Sequence, residues 1–416
     1  MSDGSIYGKI YCRGSIVEAG IEFEDGRIRR IGKNVRGREV KGLILPAAID
    51  VHVHFRDFEE RHKETIESGS LSAIHGGVCL VVDQPNCKPA VTKPEVYFER
   101  VERAEKKLYC DYSLNFALTR KNLPKIGDYI EQVSERYFVP AVGEVFLEHS
   151  SPEMQVDYSD LERACHALEG TGVLMSVHAE DASLCKPGTP NFLYRPEEAE
   201  VVAVKRTLEV AGKGVGGKVH ICHVSSEKTL DVLRTCKTVT CEVTPHHMLF
   251  SVKDYDRLKE FVNVNPPLRE KPLLERLNEV DIIASDHAPH TPDEKRDGAP
   301  GFPGVETMYP VIVHLIAEGV LGTGAVEKLT SSPAKAFGFD RLGYGWIEEG
   351  MFANLAVFDL SEEVRISASS LHSLCGWTPY EGFKAIFPSE VYLRGERVVP
   401  GEVAAGRVLR SDVCGR

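Results

Sequence analysis

Residues 48–83 read AIDVHVHFRDFEERHKETIESGSLSAIHGGVCLVVD, and this stretch decides the fold. Two short apolar runs, AIDVHV and VCLVVD, flank the helical pattern ETIESGSLSAIHGG, which predicts a strand, a helix and a second strand. Six further strand candidates follow along the chain: YSLNFAL, VPAVGEVFL, VLMSVHA, KVHICHV, TVTCEVT and DIIASD. Strands that alternate with helices form a parallel sheet, and about eight such units predict an α/β fold, a (β/α)8 barrel of the TIM type over residues 48–339.

The two ends of the chain have a different texture from the barrel region. Residues 1–47 contain short strand patterns punctuated by glycine, and Asp25-Gly26 in EDGR is a strong hairpin signal. The same texture returns after about residue 340, in GWIEEGMFANLAVFDL and SEVYLRGERVVPGEV. We therefore expect a small β-sandwich domain formed from both chain ends, residues 1–47 plus 340–416.

The composition excludes several classes of partner. The 416 residues carry a net charge of −12, which argues against nucleic acid or an anionic membrane as partner. No apolar run approaches the roughly 20 residues of a membrane span, and the first residues lack the apolar core of a secretory signal. The eleven cysteines form no C-x-x-C pair, so we expect reduced thiols and a cytoplasmic protein. The sequence leaves open whether the chain forms a homo-oligomer.

Metal-capable side chains follow several predicted strands. A single histidine at a strand end is usually an ordinary polar residue, but five metal-capable residues on four strands favour a metal site at the carboxyl end of the barrel. These residues are His52, His54, His178, His223 and Asp286. His52, His54 and Arg56 share one face because strand side chains alternate. His246 and His247 also end a predicted strand, but they would face opposite ways.

With these residues in place, the sequence resembles the amidohydrolase superfamily and, within it, the dihydroorotase family. The resemblance rests on DVHVHFRD, DQPNCKPAV, VHAED, RPEEAE, ICHVSS, CEVTPHH, NVNPPLRE, ASDHAPHT, GVETMYP, SSPAKAFG and GWTPYEGF. It implies a divalent metal, with zinc as the first expectation. His52, His54 and Asp286 would hold the more buried ion, and His178 and His223 a second.

The resemblance also implies substrate contacts. Arg56, Asn86 and His290 would grip a substrate carboxylate, Asn265 would contact the ring, and GAPGFPGVET would be the substrate-binding loop. An arginine fork with amide and imidazole donors suits a carboxylate. The plainer alternatives are a surface ion pair for Arg56, a turn residue for Asn86 and a turn cap for His290.

The implied reaction is the reversible hydrolysis of dihydroorotate to N-carbamoyl-aspartate in pyrimidine biosynthesis. A metal-bound hydroxide would attack the ring carbonyl. Asp286 would act first as general base and then as general acid toward the ring nitrogen.

The chain departs from the family pattern on the fourth predicted strand. Many relatives carry a carboxylated lysine there that bridges two ions, but this chain has Glu144 and no lysine from Pro140 to Cys185. The two groups supply the same charge, yet glutamate is shorter by roughly 3–4 Å. Either the strand lies closer to the metals and Glu144 bridges them, or one ion is held tightly and the other weakly. Glu144 could instead be an ion-paired neighbour of the ligands, and Glu148 and Asp157 are weaker candidates.

Two other functions fit the same motifs. The chain could be another cyclic amidohydrolase, of the allantoinase or hydantoinase type. It could also be an inactive homologue that serves as a scaffold subunit in a pyrimidine-pathway assembly, and such a protein is expected to lose metal ligands.

Overall fold

The structure is a computed structural model that describes residues 4–147, 153–212 and 218–411. The chain opens with four strands: β1 (Gly4–Cys12), β2 (Ser15–Glu24), β3 (Arg27–Gly32) and β4 (Arg38–Pro46). Eight short buried strands follow: β5 (Ala48–Val53), β6 (Val78–Asp83), β7 (Asp111–Leu114), β8 (Ala141–Phe146), β9 (Leu174–His178), β10 (Val219–Ile221), β11 (Thr240–Val243) and β12 (Ile282–Ile283). Each of them overlaps one of the eight predicted strand runs, and β7 begins one residue before its run.

These eight strands close into a parallel barrel. Strands β5 to β7 pair in sequence order, and so do β8 to β12. The bridges Phe116 to Val142 and Val53 to His287 join the two sets at both seams. The predicted (β/α)8 barrel is therefore confirmed, and its strand ends converge on one face.

Helices lie between and around the strands: α1 (Ile66–His75), α2 (Pro94–Ala104), α3 (Ile126–Ser134), α4 (Tyr158–Ala167), α5 (Glu197–Gly212), α6 (Glu227–Leu233), α7 (Pro245–Leu249), α8 (Tyr255–Leu258), α9 (Pro292–Arg296), α10 (Val305–Ala317), α11 (Ala325–Leu329) and α12 (Ser331–Phe337). Local sequence explains where several begin. Thr65 and Ser68 form a reciprocal capping box at α1, and Pro94 occupies the first turn of α2. Within the described ranges, no helix combines the length and apolarity that crossing a membrane requires.

Strands from both chain ends form one sheet. The last strands are β13 (Leu355–Phe358), β14 (Val364–Arg365), β15 (Lys384–Ala385), β16 (Glu390–Leu393) and β17 (Glu396–Val399). The seven-stranded sheet has the order β17-β16-β13-β4-β1-β2-β3, so β4 lies between β1 and β13. The hairpin prediction is confirmed: Asp25 and Gly26 join β2 to β3 with φ values of 51° and 79°, as a two-residue turn of this hand requires.

The C-terminal segment also contacts the barrel directly. Tyr112 of β7 donates its backbone N–H to Arg407, and Leu409 donates back to Tyr112. The proposed domain limits, residues 1–47 plus 340–416 against 48–339, stay a prediction.

Candidate metal centre

All six side chains expected to bind metal meet at the carboxyl end of the barrel. The histidines come from the ends of β5, β9 and β10, the glutamate from β8 and the aspartate from the loop after β12: His52, His54, His178, His223, Glu144 and Asp286. All six are buried. His223 and Asp286 have φ values of 33° and 46°, a conformation that L-residues rarely adopt and that is enriched at functional sites.

Three ligand atoms, from His52, His54 and Asp286, form a first set with the spacing of metal ligands, and Glu144 Oε2 lies beside the two histidines. His52 Nε2 lies 3.5 Å from Glu144 Oε2 and 3.6 Å from Asp286 Oδ1, and His54 Nε2 lies 3.8 and 3.1 Å from the same oxygens. Two atoms bound to one tetrahedral zinc stand about 3.4 Å apart, because each bond is about 2.0–2.1 Å long. His52 Nε2 is buried and has no hydrogen-bond partner among the described residues. This donor set therefore fits a divalent cation.

Three ligand atoms form a second set around the other oxygen of Glu144. Glu144 Oε1 lies 2.9 Å from His178 Nδ1 and 2.7 Å from His223 Nε2, and these two nitrogens are 3.2 Å apart. The separations are a few tenths of an ångström shorter than an ion requires, so metal binding would spread this set slightly. Glu144 directs one oxygen to each set.

The path of β8 explains how glutamate reaches so far. Val142 pairs with Met175 and Val145 with Val177, so β8 has one extra residue, a bulge at Gly143-Glu144. A Cβ atom at Gly143 would lie 2.3 Å from the carbonyl oxygen of Ser176, and its φ is 142°. Only glycine permits this close approach of β8 to β9, which brings Glu144 between the histidine pairs.

A cavity of about 330 Å³ opens above these ligands. Four residues that sequence analysis assigned to the substrate line it together with His54, Glu144, His178, His223 and Asp286: Arg56, Asn86, Asn265 and His290. Arg56 donates from Nη2 to His290 Nε2 at 3.1 Å and from Nε to the carbonyl of Pro289 at 3.2 Å. Lys63, Lys88 and Arg195 also line the cavity. Lys63 pairs with Glu60 and Arg195 with Glu180, so the positive charge that would attract a small anion comes mainly from Arg56 and Lys88.

Residues 43–389 match the profile of the Amidohydrolase family. The chain belongs to the amidohydrolase family. It is 54% identical to a protein named dihydroorotase from Archaeoglobus fulgidus, over 98% of this chain and 100% of the relative. It is 37% identical to a dihydroorotase from Pyrococcus abyssi, over 97% of this chain and 96% of the relative.

Solved structures show the same fold. An L-hydantoinase (dihydropyrimidinase) from Arthrobacter aurescens superposes with a TM-score of 0.88, at 22% identity, over 99% of this chain and 98% of that chain. A D-hydantoinase (dihydropyrimidinase) from Thermus sp. gives 0.86 at 24% identity, over 99% of both chains. The predicted amidohydrolase architecture, a barrel with a β-sandwich domain, is confirmed.

In this amidohydrolase, three further side chains orient the histidines that are expected to bind metal. His52 donates from Nδ1 to Glu242 Oε1 at 2.5 Å, and His54 donates from Nδ1 to Asn86 Oδ1 at 2.8 Å. These bonds leave both Nε2 atoms for a metal. His178 contacts Glu180 through Nε2 at 2.8 Å, which leaves its Nδ1 toward Glu144.

Glu242 and Glu180 were not predicted as site residues, although both stand in motifs quoted above. Glu242 lies inside the apolar strand run TVTCEVT, and Glu180 follows His178 in VHAED. A carboxylate in a buried strand needs a partner, and that requirement was the available signal. Asn86, assigned only to the substrate carboxylate, also orients a ligand histidine.

The electrostatics of the site keep its carboxylates charged. Burial raises the pKa of Glu144, but the charge of His52 and hydrogen bonds from His178 and His223 outweigh it and hold the pKa well below its usual value. Burial likewise opposes ionisation of Asp286, and the contact with His54 and the charges of His52 and His223 lower its pKa overall. Burial and the charge of Arg56 lower the pKa of His290 to about 3. His290 is therefore neutral at physiological pH.

Other candidates lie elsewhere. Asp157 caps α4, accepts from the N–H groups of Ser159 and Asp160 and does not line the cavity. Glu148 lies outside the described residues. The prediction that His246 and His247 end a strand was wrong. Thr244 caps the short helix α7, and Pro245 begins it. His246 and His247 are buried in that helix and belong to none of the ligand groups in the described part of the chain.

Proposed function

We propose that this chain is a dihydroorotase, which reversibly hydrolyses the ring amide of dihydroorotate to N-carbamoyl-aspartate in de novo pyrimidine biosynthesis. One observation carries the proposal: two adjacent groups of metal-capable side chains, with Glu144 in one and close to the histidines of the other, lie at a small cavity whose wall presents Arg56 and His290. The relatives named dihydroorotase, at 54% and 37% identity over nearly the whole chain, support the same activity.

The proposed cofactor is a pair of divalent ions, with zinc first. One ion would be held by His52, His54, Asp286 and an oxygen of Glu144, and the other by Glu144, His178 and His223. Imidazole and carboxylate ligands at the spacings described above support this assignment. When bound, such ions supply a Lewis acid and lower the pKa of water.

Asp286 is the proposed proton carrier. Its carboxylate lies 3.1 Å from His54 Nε2 and lines the cavity, so it reaches both the ligand set and the substrate space. It would accept a proton from the attacking water and deliver that proton to the leaving ring nitrogen, as base and then acid. The reverse condensation uses the same steps backwards.

The proposed substrate clamp consists of Arg56, Asn86 and His290, with Asn265 toward the ring. The contact of Arg56 with Pro289 and His290 fixes its guanidinium at the cavity wall. A substrate carboxylate would pair with this buried cation, and a neutral ring could not make that contact. This favours dihydroorotate over neutral rings such as hydantoin or allantoin.

The proposed setting is the cytoplasm, with a small molecule rather than nucleic acid or a membrane as the partner. The net charge of −12 supports this, and so do the ten described cysteines, none of which is in a disulfide.

The test is turnover and metal content measured on the same samples. The zinc-loaded wild type should hydrolyse dihydroorotate to N-carbamoyl-aspartate in preference to hydrolysing hydantoin, allantoin or dihydrouracil. Asp286→Ala should lose turnover by at least about 1000-fold yet retain some metal. Asp281→Asn, at the opposite end of the same strand region, is the matched control and should remain active.

Three results would contradict the proposal. Substantial turnover in Asp286→Ala would remove Asp286 from its role. A preference for a neutral ring would favour the hydantoinase alternative. No turnover by the metal-loaded wild type would favour the scaffold alternative.

A further inference from the structure

A lysine beside the candidate site is buried without a counter-ion. Lys295 lies on α9, four residues after the capping residue Thr291. The helix sequence PDEKR is rich in charged residues, and such a segment usually faces solvent. Its side chain is nevertheless completely buried, with 0% exposure. Among the described residues, no carboxylate lies within ion-pair distance of its Nζ atom, so the charge is stabilised by other means.

Backbone carbonyls and aromatic rings surround this ammonium group. Nζ donates to the carbonyls of Asn263 at 2.7 Å, Ala299 at 2.7 Å and Gly301 at 3.0 Å. It also lies 5.3 Å from the ring centre of Phe302 and 5.5 Å from that of Trp377. Burial lowers the pKa of Lys295 well below its usual value, but an ammonium has three N–H donors and a neutral amine only two, so the three bonds to carbonyls favour the charged form.

The three carbonyls belong to two segments that form the cavity wall. Residues 299–302, the tip of the expected substrate-binding loop, contribute Pro300 and Gly301 to the lining. Gly301 has a φ of 138°, and a Cβ there would lie 2.5 Å from the carbonyl oxygen of Ala288 and 3.3 Å from His290 Cδ2. The loop backbone is therefore packed directly against the substrate clamp.

The second segment carries Asn265. Asn263 accepts from Lys295 and from the N–H of Gly301, at 3.0 Å, through one carbonyl. Its side-chain oxygen accepts from Asn191 N–H at 2.9 Å, and Asn191 Nδ2 donates to Asn265 Oδ1 at 2.7 Å. One ammonium group thus joins the loop beside His290 to the segment that presents Asn265.

We propose that Lys295 is a positioning residue that holds the 299–302 loop and the Asn263–Asn265 segment in the substrate-binding arrangement. It acts through backbone carbonyls and touches neither metal ligands nor substrate. The part of this inference that concerns dihydroorotate rests on the proposed function, whereas the ordering of the loop does not.

The experiment compares Lys295→Met with Lys328→Met in the full-length, zinc-loaded protein. Lys328 is the matched control, because it is a partly buried lysine that also donates to a backbone carbonyl, that of Val280, away from the cavity. The readouts are KM and kcat for dihydroorotate, hydrogen exchange of the amides of Ala299, Gly301 and Phe302, and zinc content.

Lys295→Met should raise KM by about tenfold or more with a smaller change in kcat, since small displacements of positioning groups are costly. Exchange of the loop amides should accelerate, and zinc content should stay at the wild-type value. Lys295→Arg, which keeps the charge and the donors, should have a KM between those of the wild type and Lys295→Met. Lys328→Met should match the wild type in all three readouts.

Wild-type exchange rates and KM in Lys295→Met would overturn the proposal, and so would equal KM values in Lys295→Met and Lys295→Arg. Hydrogen exchange needs no turnover. The wild type could fail to process dihydroorotate while Lys295→Met still shows faster exchange than the wild type. That result would support the loop role and contradict only the proposed function.

Discussion

Shortening the side chain of Glu144 by one methylene group should cost the protein its second metal ion. Glu144→Asp keeps the charge but withdraws the carboxylate by about 1.5 Å, the length of one carbon–carbon bond. In the wild type, Glu144 Oε1 lies 2.7 and 2.9 Å from the ring nitrogens of His223 and His178. Glu144 Oε2 lies 3.5 and 3.8 Å from those of His52 and His54. A carboxylate drawn back by that length cannot contact both pairs.

The backbone cannot compensate for the shorter side chain. Any advance of β8 toward the histidines is limited by the contact of Gly143 with Ser176, where even a Cβ atom would approach the carbonyl to 2.3 Å. Loss of a group that only orients a ligand costs about 10–100-fold in metal affinity, so loss of a bridging ligand should cost at least about 100-fold, or roughly 2.7 kcal/mol. Glu144→Gln should lose as much, because it keeps the length but removes the charge.

The assay is zinc titration with metal content measured after equilibration at buffered free zinc. The wild type should bind two ions per chain, and both variants should bind one at the same free concentration. Glu306→Gln is the control, since Glu306 is also a buried glutamate in contact with a histidine, His372, but lies outside the ligand sets. Two ions at wild-type affinity in Glu144→Gln would refute the bridging role.

Three other perturbations test different parts of the structure. Gly143→Ala should destabilise the protein by about 1–3 kcal/mol in urea unfolding and weaken zinc binding, because its Cβ displaces β8; wild-type values for both would contradict the close-approach argument. Glu242→Gln should weaken zinc binding by about 10–100-fold with little change in fold, because glutamine orients His52 less firmly than glutamate does. Competition with a chelator measures the affinity. Burial and the charge of His372 lower the pKa of His75 to about 4, below the unfolded value of 6.5. The unfolded state therefore binds the proton more tightly, and stability falls as pH falls from about 6.5 toward 4. The free energy of unfolding in urea should fall between pH 7 and pH 4.5 in both proteins. The fall should be smaller in His75→Asn than in the wild type by on the order of 1–2 kcal/mol, and equal falls would exclude His75 as the cause.

Much of the fold was predictable because each barrel strand is short, apolar and followed by a helical pattern. All eight predicted strands occur, and the barrel places their carboxyl ends together, so His52 and Asp286 meet although 234 positions separate their numbers. Topology converts a set of scattered strand ends into one site, and this rule needs no alignment.

The reach of Glu144 was not predictable from the sequence. It depends on one extra residue in β8 relative to β9, and register between parallel strands leaves no local signature. Lys295 was missed for a related reason: its neighbours Glu294 and Arg296 indicate a solvent-facing turn, and only the return of residues 299–302 over α9 buries it. The error at His246 had a readable signal, because Thr-Pro is a frequent helix start.

The order of strands in the seven-stranded sheet has a consequence for the time course of synthesis. Leu45 of β4 pairs with Ala356 of β13, about 310 positions later. Translation adds about 5–20 residues per second, so the edge of β4 that pairs with β13 stays unpaired on the ribosome for roughly 15–60 s. That edge contains the apolar run Leu43 to Leu45, and an open apolar edge invites pairing with other nascent chains. We therefore expect this strand edge to be the part of the nascent chain most in need of protection until β13 has been synthesised.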